Sequence, residues 1–458
     1  MADPYRHSSL YYSAAISCAS IAFCVATLST FLALNVGLDV NPQVEKYEPD
    51  YSVYHNLTEI LDHVKSLMQK YGEYMYRSEE YKSRMGKSQI LIRVSNFSSE
   101  KTAPHRIKIF LAYGEHAREF FPVESMFYFI KNLTAGLDKN LQGTASHTYS
   151  TWVLNNFDLF IVAMANPDGR EHIEQSKNYC WRGTSAGVDI NRNFDWSFGD
   201  HGSSKDPHDG EYRGPYAFSE PETEIFKHLS DTFKFDAFVS FHSGIRHIYI
   251  PFADSKSKHN HRVPDNYENL LELAKQMATS SPTRPFQYGL AYNLIGYTAD
   301  GTSFDYMQGV AKVPFSLAIE LWENKNHVGR SCFDEFNPEG RLLEEEVSLV
   351  HPLYVELLTY LYLWKRRHVG RDILEMTGDS KFDVRKSEDV VSHSLQSKSS
   401  PLDQPSAFSE SHTTFVLFSI FSLICVALGG RHICSLMRKK RIISLKALSS
   451  TFSLFKSL

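Results

Sequence analysis

Five short apolar runs mark the middle of the chain: "SQILIRVSN", "HRIKIFLAYG", "FDLFIVAMANPDG", "FDAFVSFHSG" and "PFSLAIELWEN". Near-continuous apolar runs of this length, several of them closed by glycine or polar residues, predict strands covered on both faces. Helical stretches alternate with them. In "YHNLTEILDHVKSLMQKYG", Leu57, Ile60, Leu61, Val64 and Leu67 recur at the three- and four-residue spacing of one helix face. "FSEPETEIFKHLSDTF" opens with Ser219 and carries Glu222 three residues on, the pattern of a capping box ahead of an amphipathic helix. Alternating strands and helices over 47–366 predict one α/β domain: a mixed, largely parallel twisted β-sheet with helices on both faces. Ligands of such sheets bind beyond the carboxyl ends of the strands. His116, Asn166, His242 and Glu320 all fall there.

Two longer apolar segments flank this domain. After a short tail (1–11), residues 12–38 carry no charge, and the stretch exceeds the ~20 residues that span a bilayer. It reads as a signal anchor or a signal peptide. Residues 413–437 read as a transmembrane segment, because the basic run Arg438, Lys439, Lys440, Arg441 follows and marks a cytosolic flank. Between domain and segment, 367–412 is polar and serine-rich, the composition of a linker; 438–458 is then a cytosolic basic tail. This topology puts the domain on the lumenal or extracellular side of a secretory-pathway or plasma membrane. Three N-glycosylation sequons, at Asn56, Asn96 and Asn132, agree with that side.

Composition narrows the function classes. A formal net charge of -5 and a pI near 6.5 give no electrostatic reason to expect nucleic acid as a partner. Apolar residues at 42% and aromatic residues at 13% suffice for a large core.

The chemistry begins in "YGEHAREFFPVES", where His116 and Glu119 stand three residues apart directly after an apolar run. A second such pair, His208 and Glu211, lies in the glycine-rich "GDHGSSKDPHDGEYRGP" with no strand ahead of it to hold it rigid, and serves as the internal control. A third ligand at another strand end is His242. Three protein ligands with a fourth position open is the arrangement of catalytic rather than structural zinc. Arg182, in "YCWRG", and the adjacent Asn191 and Arg192, in "AGVDINRNFDW", are candidates for holding carboxylates or a developing oxyanion. Glu320 interrupts an apolar strand, a costly place for an acid unless it is paired or faces a cavity.

With these motifs in this order, 47–362 resembles the zinc metallocarboxypeptidases of the carboxypeptidase A superfamily. The resemblance implies one Zn²⁺ per catalytic domain held by His116, Glu119 and His242, with Asp189 as a carboxylate behind the first histidine. It implies Glu320 as general base and Arg182 as the group polarising the scissile carbonyl. Arg118 matches a secondary substrate-binding arginine, Asn191 and Arg192 the clamp on the substrate's free carboxylate, and Tyr297 the mobile tyrosine that covers the substrate. The implied activity is hydrolysis of the C-terminal peptide bond of peptides or proteins. An inactive peptide-binding ectodomain, or a hydrolase of side-chain-linked or N-acyl amino acids, is the alternative on the same fold.

Departures from the family pattern bear on specificity. Ser243-Gly244 follows the third ligand, where the digestive branch has Ser-Tyr. Phe304 stands where that branch places its pocket floor, which favours apolar or aromatic C-terminal residues. Asp254 lies one position from the acid of the branch specific for basic residues, the alternative. Of six cysteines, only Cys180 and Cys332 lie in the domain. The resemblance brings both to the active-site side, and an oxidising compartment favours a Cys180–Cys332 disulfide.

Overall fold

Near-continuous apolar runs need cover from both sides, and the chain meets this by laying them side by side. The computed structural model describes residues 48–99, 106–281, 283–325 and 331–377. Among them, eight strands form one sheet: β1 Met75–Ser78, β2 Leu91–Val94, β3 Ile107–Tyr113, β4 Phe157–Val162, β5 Ala237–His242, β6 His247–Ile250, β7 Gln287–Leu290 and β8 Phe315–Glu320. Their order is β1-β2-β4-β3-β5-β8-β6-β7. The central β4, β3, β5 and β8 run parallel, and each is one of the predicted runs. β2 joins antiparallel to β4, β1 antiparallel to β2, β6 antiparallel to β8, and β7 parallel to β6. The sheet is mixed and mostly parallel, as the alternation of runs predicts.

Side chains alternate across the sheet. Along β3, Ile109, Leu111 and Tyr113 enter one apolar cluster, and Phe110 and Ala112 enter the other. The helices Leu57–Tyr71, Phe121–Ala135, Tyr267–Thr279 and Leu343–Thr377 close the first face; Pro221–Thr232 and Ser303–Gly309 close the second. Each central strand therefore ends at a rim that the helices leave open.

Local chemistry sets the helix starts. Asn56 caps Leu57–Tyr71 by accepting from the Glu59 N–H, while the Glu59 carboxylate accepts from the Asn56 N–H. The capping box expected at Ser219 does not form. Pro221 occupies the first turn, where its fixed φ starts the helix, so the N-cap moves to Glu220, which has no side-chain cap bond. The Ser219 hydroxyl donates to Glu220 instead, and Glu222 accepts from the Arg84 N–H. The last helix also runs past 366, into the stretch read as linker, up to Thr377. Propagating a formed helix needs only one more bond per residue, so polar composition does not stop it.

The segments 1–11, 12–38, 413–437 and 438–458, with the rest of the linker, lie outside the described residues. No helix of the described residues is long and apolar enough to cross a membrane. Of the three sequon asparagines, Asn56 is engaged as a cap, and Asn132 sits inside Phe121–Ala135 with its amide donating to the Tyr128 carbonyl. The Asn96 amide donates to Asn155 Oδ1.

Cys180 and Cys332 are joined as a disulfide, with Cα atoms 5.1 Å apart and a sequence separation of 152. Chain entropy gives a loop of that length about 5 kcal/mol as an upper figure. A Cys180→Ala/Cys332→Ala double variant should lose several kcal/mol in denaturant unfolding of the domain. A loss below about 1 kcal/mol contradicts a stabilising role.

Candidate functional site

The metal-ligating turn follows β3. Gly114 makes it sharp: its φ is +69°, and a Cβ there would lie 2.7 Å from Met164 Sδ. Two buried side chains from distant segments then fix the turn. Arg170, fully buried, donates through Nε to the Ala117 carbonyl and through Nη2 to the Glu119 carbonyl, both at 3.1 Å, with its guanidinium stacked 3.5 Å from the Phe120 ring. Asn337 accepts from the Phe120 and Phe121 N–H groups and donates to the Arg118 carbonyl.

This places three buried donors together. His116 Nδ1 is 2.6 Å from Glu119 Oε1, and His242 Nδ1, at the end of β5, is 3.1 Å from Glu119 Oε2 and 3.0 Å from His116 Nδ1. One ligand atom from each lies within 4.8 Å of the others. Outer contacts fix both tautomers. His116 Nε2 is 3.2 Å from Asp189 Oδ1, and a carboxylate only accepts, so Nε2 carries the proton and the Nδ1 lone pair points inward. Ser240 donates its hydroxyl to Glu115 Oε1 at 2.6 Å and can only accept from His242 Nε2, also at 2.6 Å. Two imidazole lone pairs and a carboxylate converging in a buried site fit a zinc ion. Burial pushes the Glu119 carboxyl up, but the two histidines outweigh this and hold it well below the usual carboxylate range. For His242, burial works downward and Glu119 overcomes it, leaving the ring at about 9 in the absence of metal.

Glu320 ends β8 directly opposite His242 in the register. Burial, and then the Glu119 carboxylate, push it up to about 7, and its Oε2 is buried with no hydrogen-bond partner. Beside it, Gly244 has φ +144°; a Cβ there would lie 3.0 Å from the Phe336 ring and 4.0 Å from Glu320 Oε2. This accounts locally for the glycine after Ser243. Arg118 stacks on the other partner of that contact, 4.0 Å from the Phe336 ring centre, and donates to the Cys180 carbonyl. Burial and then the nearby Arg182 lower its pKa to about 10. Arg182 Nε donates to Asp189 Oδ2 at 2.8 Å, and its Nη1 is 3.9 Å from Glu119.

Asn191 Oδ1 accepts from the Ser303 N–H at 2.8 Å, which orients the amide; its Nδ2 lies 3.3 Å from His242 Nε2, which carries its own proton, so the amide N–H groups are left to donate to a ligand. Arg192, 3% exposed, bonds to Glu211. The control pair thus splits: His208 is exposed and Glu211 reaches the arginine. A cavity of about 410 Å³ is lined by Arg118, Trp181, Arg182, His208, Glu211 and Tyr297, among others. Tyr297 is 53% exposed, the freedom a covering side chain needs. Phe304, by contrast, is buried in the core cluster behind the sheet. Asp254, the acid considered for basic specificity, is spent: it caps Ser255–His259 and accepts from Trp196 and Ser197.

Sequence reasoning missed Glu115, Ser240 and Arg170. Glu115 carried the same signal as Glu320, an acid ending an apolar strand. Ser240 and Arg170 carried none, since their partners come from distant segments.

A sequence profile of the zinc carboxypeptidase family matches residues 60–347. Carboxypeptidase A1 of Bos taurus is 29% identical over 286 residues, covering 59% of this chain and 63% of that protein. The zinc carboxypeptidase A 1 of Anopheles gambiae is 28% identical over 287 residues, with 59% and 60% covered. The chain thus spans a little under two thirds of the length of these relatives. Among solved structures, thrombin-activatable fibrinolysis inhibitor aligns with a TM-score of 0.58 at 20% identity, covering 70% of this chain and 78% of that one. Carboxypeptidase A from Helicoverpa armigera also gives 0.58, at 21% identity and 74% and 80% coverage. Those two likenesses show the fold; the profile, matched over more than half of the chain and across all three metal-site residues, shows that this chain belongs to the zinc carboxypeptidase family.

Proposed function

We propose that the domain is a zinc-dependent carboxypeptidase that hydrolyses the C-terminal peptide bond of peptides or proteins. The observation that carries this is the buried His116, Glu119 and His242 cluster with the unpartnered carboxylate oxygen of Glu320 in register beside it. When bound, zinc supplies Lewis acidity to a carbonyl oxygen and to water. Glu320 takes the proton of the attacking water on its free oxygen and passes it to the leaving amine nitrogen. Arg182, held by Asp189 through Nε, keeps its Nη groups for the oxyanion that develops on the substrate. Arg192 binds the free α-carboxylate together with the Asn191 amide N–H, the amide being oriented by the Ser303 N–H that its Oδ1 accepts. An internal peptide bond offers no carboxylate to Arg192, which makes the reaction an exopeptidase one. Tyr297 covers the occupied cavity.

The Glu320→Gln variant should keep about one zinc per domain and lose at least a hundredfold in turnover, the scale of general-base catalysis. Metal analysis and kinetics on a blocked dipeptide ending in phenylalanine check both halves. Retained zinc with turnover within tenfold of wild type removes Glu320 from the reaction, whereas a wild-type domain without zinc favours the binding-module alternative.

The domain, in our reading, is tethered to a membrane by 413–437 and faces the lumenal or extracellular side. The support is the uncharged 12–38 segment and the basic cluster at Arg438–Arg441. In sealed microsomes carrying the full chain, the domain should resist added protease until detergent is present. Digestion without detergent overturns this topology.

A further inference from the structure

Glu211 stands against the group that the proposed reaction needs free. The backbone of its loop is pinned to the segment that carries the clamp. The Asp189 N–H donates to the Tyr212 carbonyl at 2.8 Å, the Ser204 N–H to the Glu211 carbonyl at 3.0 Å, and Asn193 Nδ2 to the Arg213 carbonyl at 2.8 Å. The main chain at 211 is thereby fixed beside Arg192, and the freedom left to Glu211 is in its side chain, which is 43% exposed. Arg192 is the opposite case. Its Nη1 donates to the Asn191 carbonyl at 2.9 Å, its Nε is buried without a partner, and Nη2 donates to Glu211 Oε1 at 3.2 Å. Glu211 is on the wall of the 410 Å³ cavity with Arg118, Arg182 and Tyr297, and Arg192 is not. The carboxylate of Glu211 therefore covers the guanidinium from the side on which a substrate arrives.

We propose that Glu211 is an internal stand-in for the substrate's α-carboxylate, paired with Arg192 in the free enzyme and displaced when a peptide C-terminus binds; this rests on the reading of Arg192 as the carboxylate clamp. Asp189, 3.7 Å from Nη1 and already bonded to Arg182, serves only part of this nearly buried guanidinium, and an under-paired buried charge is costly, so the stand-in stabilises the empty site. The same pair opposes substrate, because two carboxylates crowd the same Nη2 edge and one must leave. Binding is then an exchange of one carboxylate for another on the same arginine, with the flexible, half-exposed Glu211 swinging into water. Glu211 thus sets substrate affinity without touching the scissile bond.

These two roles give readouts of opposite sense. In Glu211→Gln, KM for a blocked dipeptide ending in free phenylalanine should fall about two- to fivefold, the range of a partly exposed ion pair, with kcat moving by less. The melting temperature of the metal-loaded domain should fall slightly in the same variant, because Arg192 loses the nearer of its two carboxylate partners and keeps Asp189 at 3.7 Å. A Glu211→Asp variant, which keeps the charge but shortens the reach, should lower KM in the same direction by less, and it carries the test if the glutamine variant does not fold. A KM that rises or stays level in these variants, while Arg192→Gln raises KM at least tenfold, overturns the proposal and leaves the clamp standing. An Arg192→Gln variant with wild-type KM overturns the clamp reading itself, and the proposal with it.

Discussion

The site depends on keeping one carboxylate charged where water cannot reach it. Asp189 is fully buried, a placement that by itself favours the neutral acid. Arg182, His116 and Arg192 gather around it and hold its carboxyl well below the usual range. Each is also a working part of the site. The contact with His116 Nε2 fixes that ring's lone pair toward the metal position, and the bond from Arg182 Nε leaves the rest of its guanidinium for substrate. Asp189 Oδ1 also accepts from the Asn191 N–H, which shapes the bend that presents Arg192. Two segments far apart in sequence, the turn with His116 and the loop from Arg182 to Arg192, are thus brought into register by a single buried charge.

The sheet provides the complementary rigidity. β5 and β8 are hydrogen-bonded neighbours, so the side chains at their ends, His242 and Glu320, are spaced by the ladder rather than by loop packing. β3 lies on the other side of β5 and delivers the turn with His116 and Glu119. Glu115 links these elements from behind, accepting from Ser240 on β5 and from Ser303 at the start of its helix. The same helix start donates its N–H to Asn191. Metal side and carboxylate side of the site therefore share one buried network.

What could be read in the sequence follows from these physical demands. Strands covered on both faces are apolar at most positions, so β3, β4, β5 and β8 stand out as runs; β1, β6 and β7 are four-residue strands toward the sheet edges and leave no such trace. His116, Glu119, His242 and Glu320 are legible because polar residues at the ends of apolar strands are rare and expensive. The Ser219–Glu222 pattern does not make a capping box because Pro221 fixes the helix start one residue later, a steric rule that outranks the pairing pattern. The Ser303 N–H that orients the Asn191 amide and the Glu211 carboxylate that reaches Arg192 leave no mark in the sequence. Both depend on contacts between segments that a linear pattern does not encode.

Position 244 carries a consequence for how this domain can vary. The Phe336 ring fills the volume that a side chain at 244 would need, and the guanidinium of Arg118 rests on that same ring. The three positions form one steric trade. A bulkier residue at 244 evicts the aromatic ring, and evicting it removes the platform under Arg118. Replacement at any one of them is therefore a change to the shape of the substrate-facing rim as a whole, and in comparisons among relatives 118, 244 and 336 should be read as a single variable.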